Sequence, residues 1–194
     1  MMKLAKWGIL AFSLTFASTA LAQDTSDSTD EAFPTGTDPE VQVGQTYQAG
    51  SYDDWEMVCV KVESGPEPCE IGQLVLDDSA NPIADVRVFP LPQGSQAIAG
   101  ATMLTPLGVS LQNGLLFSVD EGDPKQYPYA FCNNVGCIAR VGFTPLELQK
   151  LRKGATAKMG IRLFQDPNNP ITIGVSLKGF ADAYTALTKR ALEQ

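Results

Sequence analysis

Apolar and polar side chains alternate along most of the chain, and this period of two predicts β-strands. In one segment Ala84, Val86 and Val88 face one way while Asp85 and Arg87 face the other, which is typical of a half-buried antiparallel strand. Further strands are predicted at residues 55–62, 70–76, 98–104, 115–119, 126–131, 158–164 and 171–177. Short strands at such regular spacing predict an antiparallel β-sandwich or barrel-like fold.

The period changes to a helical one near the C-terminus. Thr144, followed by a proline and by Glu147, predicts a capping box, and Gly154 predicts the end of this short helix. A final helix is predicted at residues 180–192, with its apolar face at Phe180, Ala183, Tyr184 and Leu187. The predicted fold class is therefore mainly β, with one short helix and a C-terminal helix.

Two turns contain residues that accept positive φ at little cost. Asn133 and Gly136 lie between Cys132 and Cys137, and apolar residues of strand character flank them. This arrangement predicts a tight β-hairpin that is closed by a disulfide across its own turn. The dipeptide Asn113-Gly114 predicts a second hairpin, of the type in which two consecutive residues adopt positive φ.

The N-terminus has the three regions of a signal peptide. Lys3 and Lys6 precede an apolar run, and Ala20-Leu21-Ala22 forms a small-x-small cleavage site. The apolar stretch at residues 7–22 is shorter than the roughly 20 residues of a spanning helix, so an integral membrane protein is not expected. We predict a signal peptide at residues 1–22, a flexible acidic leader at 23–48, rich in Asp, Ser, Thr, Gly and Pro, and a single β domain at 49–194.

Charge and composition exclude several classes of function. Cleavage after Ala22 leaves 12 basic against 22 acidic residues, a net charge of −10. Nucleic acid is a poor partner for such a chain, because affinity for phosphates needs a basic face. The chain has no histidine, which excludes Ser-His-Asp and Cys-His catalysis and the usual zinc hydrolase sites. The sequence shows no catalytic constellation and predicts no cofactor.

All four cysteines lie after the predicted cleavage site, and an even number in an oxidising compartment indicates disulfides. Four cysteines allow three connectivities. The local pairs Cys59–Cys69 and Cys132–Cys137 are favoured, because each spans one candidate hairpin or loop. A four-cysteine zinc site and a redox-active pair are the alternatives, but neither spacing is the C-x2-C that such sites usually have.

Few residues are candidates for function. An enzyme would have to use the Cys132–Cys137 pair or carboxylates drawn from Asp53, Asp54, Glu70 and Asp85. The aromatic residues near the predicted hairpin are candidate partner contacts, and their alternative role is packing within the sheet. These aromatic residues are Tyr127, Tyr129 and Phe143. Arg140 alternates with apolar neighbours and is interpreted as a paired strand arginine, with a functional role as the alternative.

Several short motifs, in order along residues 52–187, resemble one known family. They are Asp54-Trp55-Glu56-Met57-Val58-Cys59, Cys69, Gln73-Leu74-Val75, Ala99-Gly100-Ala101-Thr102, Thr105-Pro106-Leu107-Gly108, Tyr127-Pro128-Tyr129-Ala130-Phe131-Cys132, Gly136-Cys137-Ile138-Ala139-Arg140 and Leu177-Lys178-Gly179-Phe180. The family is that of the invasion-associated locus B proteins. The resemblance implies an exported bacterial envelope protein, which in some intracellular pathogens is linked to invasion of the host cell. The family has no agreed catalytic residues to transfer.

From the residues and the resemblance together, we expect a periplasmic, cell-surface or secreted protein that binds and does not catalyse. Its expected partner is a protein or glycan in the envelope or on a host surface. A periplasmic envelope-assembly or stress protein is the alternative, and a carboxylate- or thiol-dependent enzyme is a further one. The sequence leaves the oligomeric state open.

Overall fold

A computed structural model describes residues 40–92, 94 and 96–192. The predicted signal peptide and residues 23–39 of the predicted leader lie outside this part of the chain. The described elements are β1 (Thr46–Tyr52), β2 (Trp55–Val60), β3 (Cys69–Leu76), β4 (Pro82–Pro90), β5 (Ala99–Thr105), a 3-10 helix (Leu111–Asn113), β6 (Leu115–Val119), β7 (Lys125–Tyr127), β8 (Tyr129–Cys132), β9 (Cys137–Phe143), α1 (Pro145–Lys153), β10 (Thr156–Ile161), β11 (Ile171–Ser176) and α2 (Phe180–Leu192).

The strands form two open antiparallel sheets. Seven strands make the larger sheet in the order β1-β2-β3-β4-β5-β9-β8, and four make the smaller sheet in the order β11-β10-β6-β7. Most neighbours in the larger sheet are also neighbours in sequence, as expected for strands joined by short turns. The predicted mainly β class, with one short helix and a C-terminal helix, is confirmed, and neither sheet closes into a barrel.

The core lies between the two sheets and under the two helices. Trp55, Met57 and Cys59 are buried at alternate positions of β2, as expected for a strand with one face in the core. The ring of Phe117 from the smaller sheet lies 5.6 Å from that of Phe143 in the larger one, measured between centroids. The ring of Trp55 meets that of Phe180 edge to face at 4.9 Å. Aromatic contacts of this kind join all three layers.

Both helices follow the sequence prediction. The Thr144 hydroxyl accepts a hydrogen bond from the Glu147 backbone N–H, and the Glu147 carboxylate accepts one from the Thr144 backbone N–H, so the capping box is complete. The predicted apolar face of α2 is buried in full. Gly179 precedes this helix with φ +84°, and a Cβ there would lie 1.9 Å from the Tyr52 carbonyl oxygen. Only glycine fits that approach.

Polar side chains also connect the two sheets. The Gln73 side chain, buried on the core face of β3, donates to the carbonyl oxygens of Asp54 and Ser176 and accepts from the Ser176 N–H. Trp55 Nε1 donates to the same Ser176 carbonyl at 2.9 Å. These bonds satisfy the outward backbone groups at the last residue of β11, so the end of the smaller sheet is fixed to the larger one.

Three local predictions differ from the structure. Asn113 ends a 3-10 helix and only Gly114 has positive φ, so the predicted hairpin turn is wrong, and β6 pairs instead with β7 and β10. The predicted strand at 126–131 is two strands that lie in different sheets. Pro128 separates them, because a proline has no N–H for the ladder. Strand β1 begins at Thr46, within the segment assigned to the leader.

Candidate interaction surface

The larger sheet has one face turned away from the core, which we call the outer sheet face. Cross-strand neighbours on this face follow one another in the order Leu74, Asp85, Leu104, Ile138 and Phe131. We call the four apolar members the apolar row. Leu74 is 54% exposed and Phe131 is 46% exposed, while Leu104 and Ile138 are half-buried. Large apolar side chains therefore lie in contact with solvent on four of these five strands, β3, β5, β9 and β8, while β4 contributes Asp85 between Leu74 and Leu104.

An irregularity in β8 places Phe131 in this row. Tyr129 pairs with the buried Ala139, but the register shifts before Phe131, which pairs with Ile138 on the opposite face. A bulge of this kind re-aims a side chain. Without it, the period of two would give Tyr129 and Phe131 the same face. The exposure of Phe131 therefore depends on strand pairing and is not visible in the sequence.

The hairpin turn extends the apolar surface. Val135, 67% exposed, lies in the turn between β8 and β9. Together with Leu74, Leu104 and Ile83 it lines an open groove of about 280 Å³. The Asn133 side chain accepts hydrogen bonds from the Val135 and Gly136 backbone N–H groups, and Cys132 is bonded to Cys137, so the turn that carries Val135 is held at both ends.

A charged row runs beside the apolar row on the same face. Arg87 donates from Nε and Nη2 to the two carboxylate oxygens of Asp85, at 2.7 and 3.0 Å. These bonds hold the pKa of Arg87 above its ordinary value. Burial raises the pKa of Glu70, against the opposing effect of Arg87, 4.0 Å away. Arg87 lies over Gly72, where a Cβ would come within 2.6 Å of it.

Arg140 differs from Arg87 although the two share a row. Register places Thr102 between them, with Arg87 on one side and Arg140 on the other. The Arg140 side chain is exposed and makes no hydrogen bond or ion pair in the described part of the chain, so its interpretation as a paired arginine is wrong. It lines an open groove of about 400 Å³ together with Phe89 and Leu91. The outer sheet face therefore offers an uncompensated cation beside apolar groups.

The aromatic residues predicted as partner contacts have different positions. Phe143 is 1% exposed and packs in the core, so its interpretation as a surface contact is wrong. It occupies the core face of β9 because the period of two that exposes Arg140 and Gly142 turns Phe143 inward. Tyr127 and Tyr129 are half-buried, and burial raises the pKa of both phenols. Tyr129 shares a hydrogen bond with the buried Thr105 at 3.2 Å.

Both predicted disulfides are present. Cys59 and Cys69 are direct cross-strand partners in β2 and β3, with Cα atoms 4.1 Å apart. Cys132 and Cys137 pair at the end of β8 and β9, with Cα atoms 4.0 Å apart. No cysteine is left free. One bridge closes the β2–β3 loop and the other closes the β8–β9 turn, near opposite edges of the larger sheet.

The carboxylates considered for catalysis do not form one site. Asp85 is engaged by Arg87, and Glu70 lies beside the same guanidinium. Asp53 pairs instead with Lys178 at 2.9 Å, in the turn between β1 and β2. Within residues 40–92, 94 and 96–192, no three metal-ligating side chains converge. In the same residues, no helix has the length and apolar character needed to cross a membrane.

A cluster of hydrogen bonds around the partly buried carboxylate of Glu67 was not predicted from the sequence. Glu67 accepts hydrogen bonds from the Tyr47 hydroxyl, from Arg190 Nη2 at 2.7 Å and from Lys61 Nζ at 3.0 Å. These bonds, that of Tyr47 first, lower the pKa of Glu67 to about 2. The cluster joins β1, the β2–β3 loop and α2. Sequence offered no signal for it, because Tyr47 lay in the predicted leader and Arg190 is 143 positions away.

The geometry defines a class of protein: a disulfide-stabilised β domain of two open sheets whose larger sheet has one partly apolar, solvent-facing side. The family profile described as "Invasion associated locus B (IalB) protein" matches residues 55–188. The chain therefore belongs to the invasion associated locus B family, and the predicted resemblance is confirmed.

A solved structure of similar fold is the crystal structure of invasion associated protein B from Bartonella henselae. The TM-score is 0.66 and the sequences are 22% identical over 74% of this chain and 97% of that chain. At this identity the likeness establishes the fold. A search of curated proteins found no match.

Proposed function

We propose that this chain is an exported envelope protein that does not catalyse a reaction and that binds a protein partner through its outer sheet face. The observation that carries the proposal is the apolar row with its neighbour Val135. Contiguous exposed apolar surface is uncommon on a soluble monomer and marks sites of contact with other molecules.

The arrangement of the outer sheet face favours a protein over a glycan. Aliphatic side chains such as Leu74, Leu104 and Ile138 provide area that is desolvated on contact with another apolar surface. The carboxylate of Asp85, bonded to Arg87, lies within this area, and the unpaired side chain of Arg140 borders it. Such a mixture of apolar and polar groups is usual in a protein interface. Arg140 adds a requirement for an acidic group on the partner, because burying it unpaired would be costly.

Export is supported by the N-terminal sequence and by the cysteines. The Lys3 and Lys6 region, the apolar run and the Ala20-Leu21-Ala22 site have the order of a signal peptide. Two disulfides with no free cysteine suit a periplasmic, surface or secreted location. The family places the chain among proteins named for invasion, and a role in host contact or in the envelope itself would use the same surface.

Site-specific photo-crosslinking in the native cells tests the proposal. A photoreactive phenylalanine analogue replaces Phe131 in the apolar row, and the matched control places it at Phe164, which is 77% exposed but lies outside the outer sheet face. We expect a discrete adduct with a protein partner from position 131 and none from position 164. Leu74→Glu in the same chain should reduce the adduct at least tenfold. Equal labelling at both positions, or an adduct insensitive to Leu74→Glu, would contradict the proposal.

A further inference from the structure

Strand β11 is an outer strand of the smaller sheet, and one of its edges faces solvent. Its residues from Ile171 to Ser176 include no charged side chain and no proline. Natural proteins usually protect such an edge with a charge, a proline or a bulge, because its unpaired N–H and C=O groups can pair with another strand. The β11 edge has none of these protections within the strand, so any backbone group that is unpaired there is available to another strand.

Alternate residues of β11 direct their backbone groups to opposite sides. Leu177, just after the strand, donates to the Ala155 carbonyl on the β10 side, so the odd-numbered residues pair inward. The even-numbered residues point to the open edge. At Ser176 the outward groups are already bonded to Gln73 and Trp55. At Thr172 and Gly174 the outward N–H and C=O groups have no partner in the described part of the chain, and both residues are exposed.

We propose that two copies of this chain associate through their β11 edges, antiparallel and about a two-fold axis at Ile173. In this register Thr172 of each copy lies opposite Gly174 of the other. Each such pair exchanges two N–H···O=C bonds, so all four free groups of each strand are satisfied. The result is a continuous eight-stranded sheet and an isologous contact.

The ends of the strand select this register over its neighbours. One step further out, Pro170 would lie opposite Ser176 of the other copy, but Pro170 has no N–H and the Ser176 groups are occupied by Gln73 and Trp55. A two-fold axis at Gly174 would require Ser176 to leave these partners. An axis at Thr172 would leave the Gly174 carbonyl unpaired. The register at Ile173 is the one that leaves no outward group of Thr172 or Gly174 unsatisfied.

Charge is compatible with contact between two acidic chains at this edge. No like charges meet along β11, since the strand has none. At the end of the strand Lys178 forms an ion pair with Asp53 at 2.9 Å. The charge of Lys178 is therefore already balanced within each copy.

Sedimentation equilibrium of the disulfide-bonded protein tests the proposal. A contact made of one strand pair is small, so we expect a monomer–dimer equilibrium with a Kd between about 10 µM and 1 mM. Thr172→Pro removes an N–H that points outward and leaves the inward bonds to β10 in place, so it should weaken the dimer at least tenfold. Thr172→Val retains the N–H and is the matched control, with an unchanged Kd.

A second variant and a second measurement keep the result decisive if the proline disturbs folding. A side chain fits at Gly174, where a Cβ would meet only Thr156 Cγ2 at 3.9 Å. Gly174→Lys therefore keeps the fold and should also weaken the dimer at least tenfold. Hydrogen exchange of the Thr172 and Gly174 amides should slow as the protein concentration rises. A monomer at every concentration, or a dimer without this protection or insensitive to both variants, would overturn the proposal.

Discussion

The Gln73 side chain allows a direct test of how the two sheets are held together. It is 9% exposed and makes three hydrogen bonds, at 3.0, 3.1 and 3.0 Å, to Asp54 and Ser176. Gln73→Met preserves the length and volume of the side chain and removes all three bonds. The Ser176 carbonyl keeps its bond from Trp55, while the Ser176 N–H and the Asp54 carbonyl lose their partners.

The expected loss follows from these contacts. A typical hydrogen bond contributes about 1 kcal/mol net, and an orphaned half-buried donor costs about 1 to 3 kcal/mol. Water can reach the carbonyl of the exposed Asp54, and the methionine gains some apolar burial in return. We therefore expect the free energy of unfolding to fall by about 2 kcal/mol. Gln73→Glu should be worse at neutral pH, since a carboxylate would face two carbonyl oxygens without a proton to donate.

Urea unfolding followed by tryptophan fluorescence measures the change, since Trp55 lies in the affected core. The denaturation midpoint should fall while the dependence of the free energy on urea stays constant, because the surface exposed on unfolding is the same. Leu74→Met, at the adjacent but 54% exposed position, is the control and should change stability by less than about 0.5 kcal/mol. A Gln73→Met loss no larger than that of the control would refute the role assigned to these bonds.

Three further predictions concern other parts of the fold. The pKa of Glu67 is lowered from its ordinary 4.5 to about 2. The stability that this carboxylate contributes is therefore fully present above pH 4.5 and is lost as the pH falls towards 2. Glu67→Gln should flatten this acid dependence of the free energy of unfolding, as measured by urea titrations. Replacing both Cys132 and Cys137 with serine should lower the free energy of unfolding by about 2 kcal/mol, since it opens a short disulfide loop. A thermal midpoint equal to that of the wild type would contradict this prediction. Phe143→Ala should lower the free energy of unfolding by about 3 to 5 kcal/mol, because the side chain is in the core. Phe131→Ala, on the outer sheet face, should lower it by less than about 1 kcal/mol in the same denaturation assay.

Short-range features were predictable from the sequence because their causes lie within a few residues. The capping box at Thr144, the buried stripe of α2 and the alternating faces of β2 all follow from local spacing. Both disulfides join residues that a single hairpin or loop brings together. The same local approach gave a wrong answer at Asn113, where hydrogen bonds to Ser110 and Gln126 stabilise a 3-10 turn in place of a hairpin.

The interaction surface was less accessible to sequence reasoning. Phe143 was predicted as a partner contact because it lies near the hairpin in sequence, but the alternation of side chains along β9 places it in the core. The motif that contains Phe131 does not indicate the bulge in β8 that turns this side chain outward. Leu74 and Ile138 lie 64 positions apart, and only the order of the strands places them in one row.

By itself, the sequence predicted the class of fold, the positions of most elements and the family, and it favoured the two disulfides that the structure contains. It did so because hydrophobic period, caps and turn residues act locally. Tertiary structure alone decided which strands are neighbours, which face of the larger sheet remains in solvent, that Glu67 is enclosed by Tyr47 and Arg190, and that the β11 edge stays unpaired at Thr172 and Gly174. These features depend on contacts between residues far apart in the chain, for which the local pattern carries no signal.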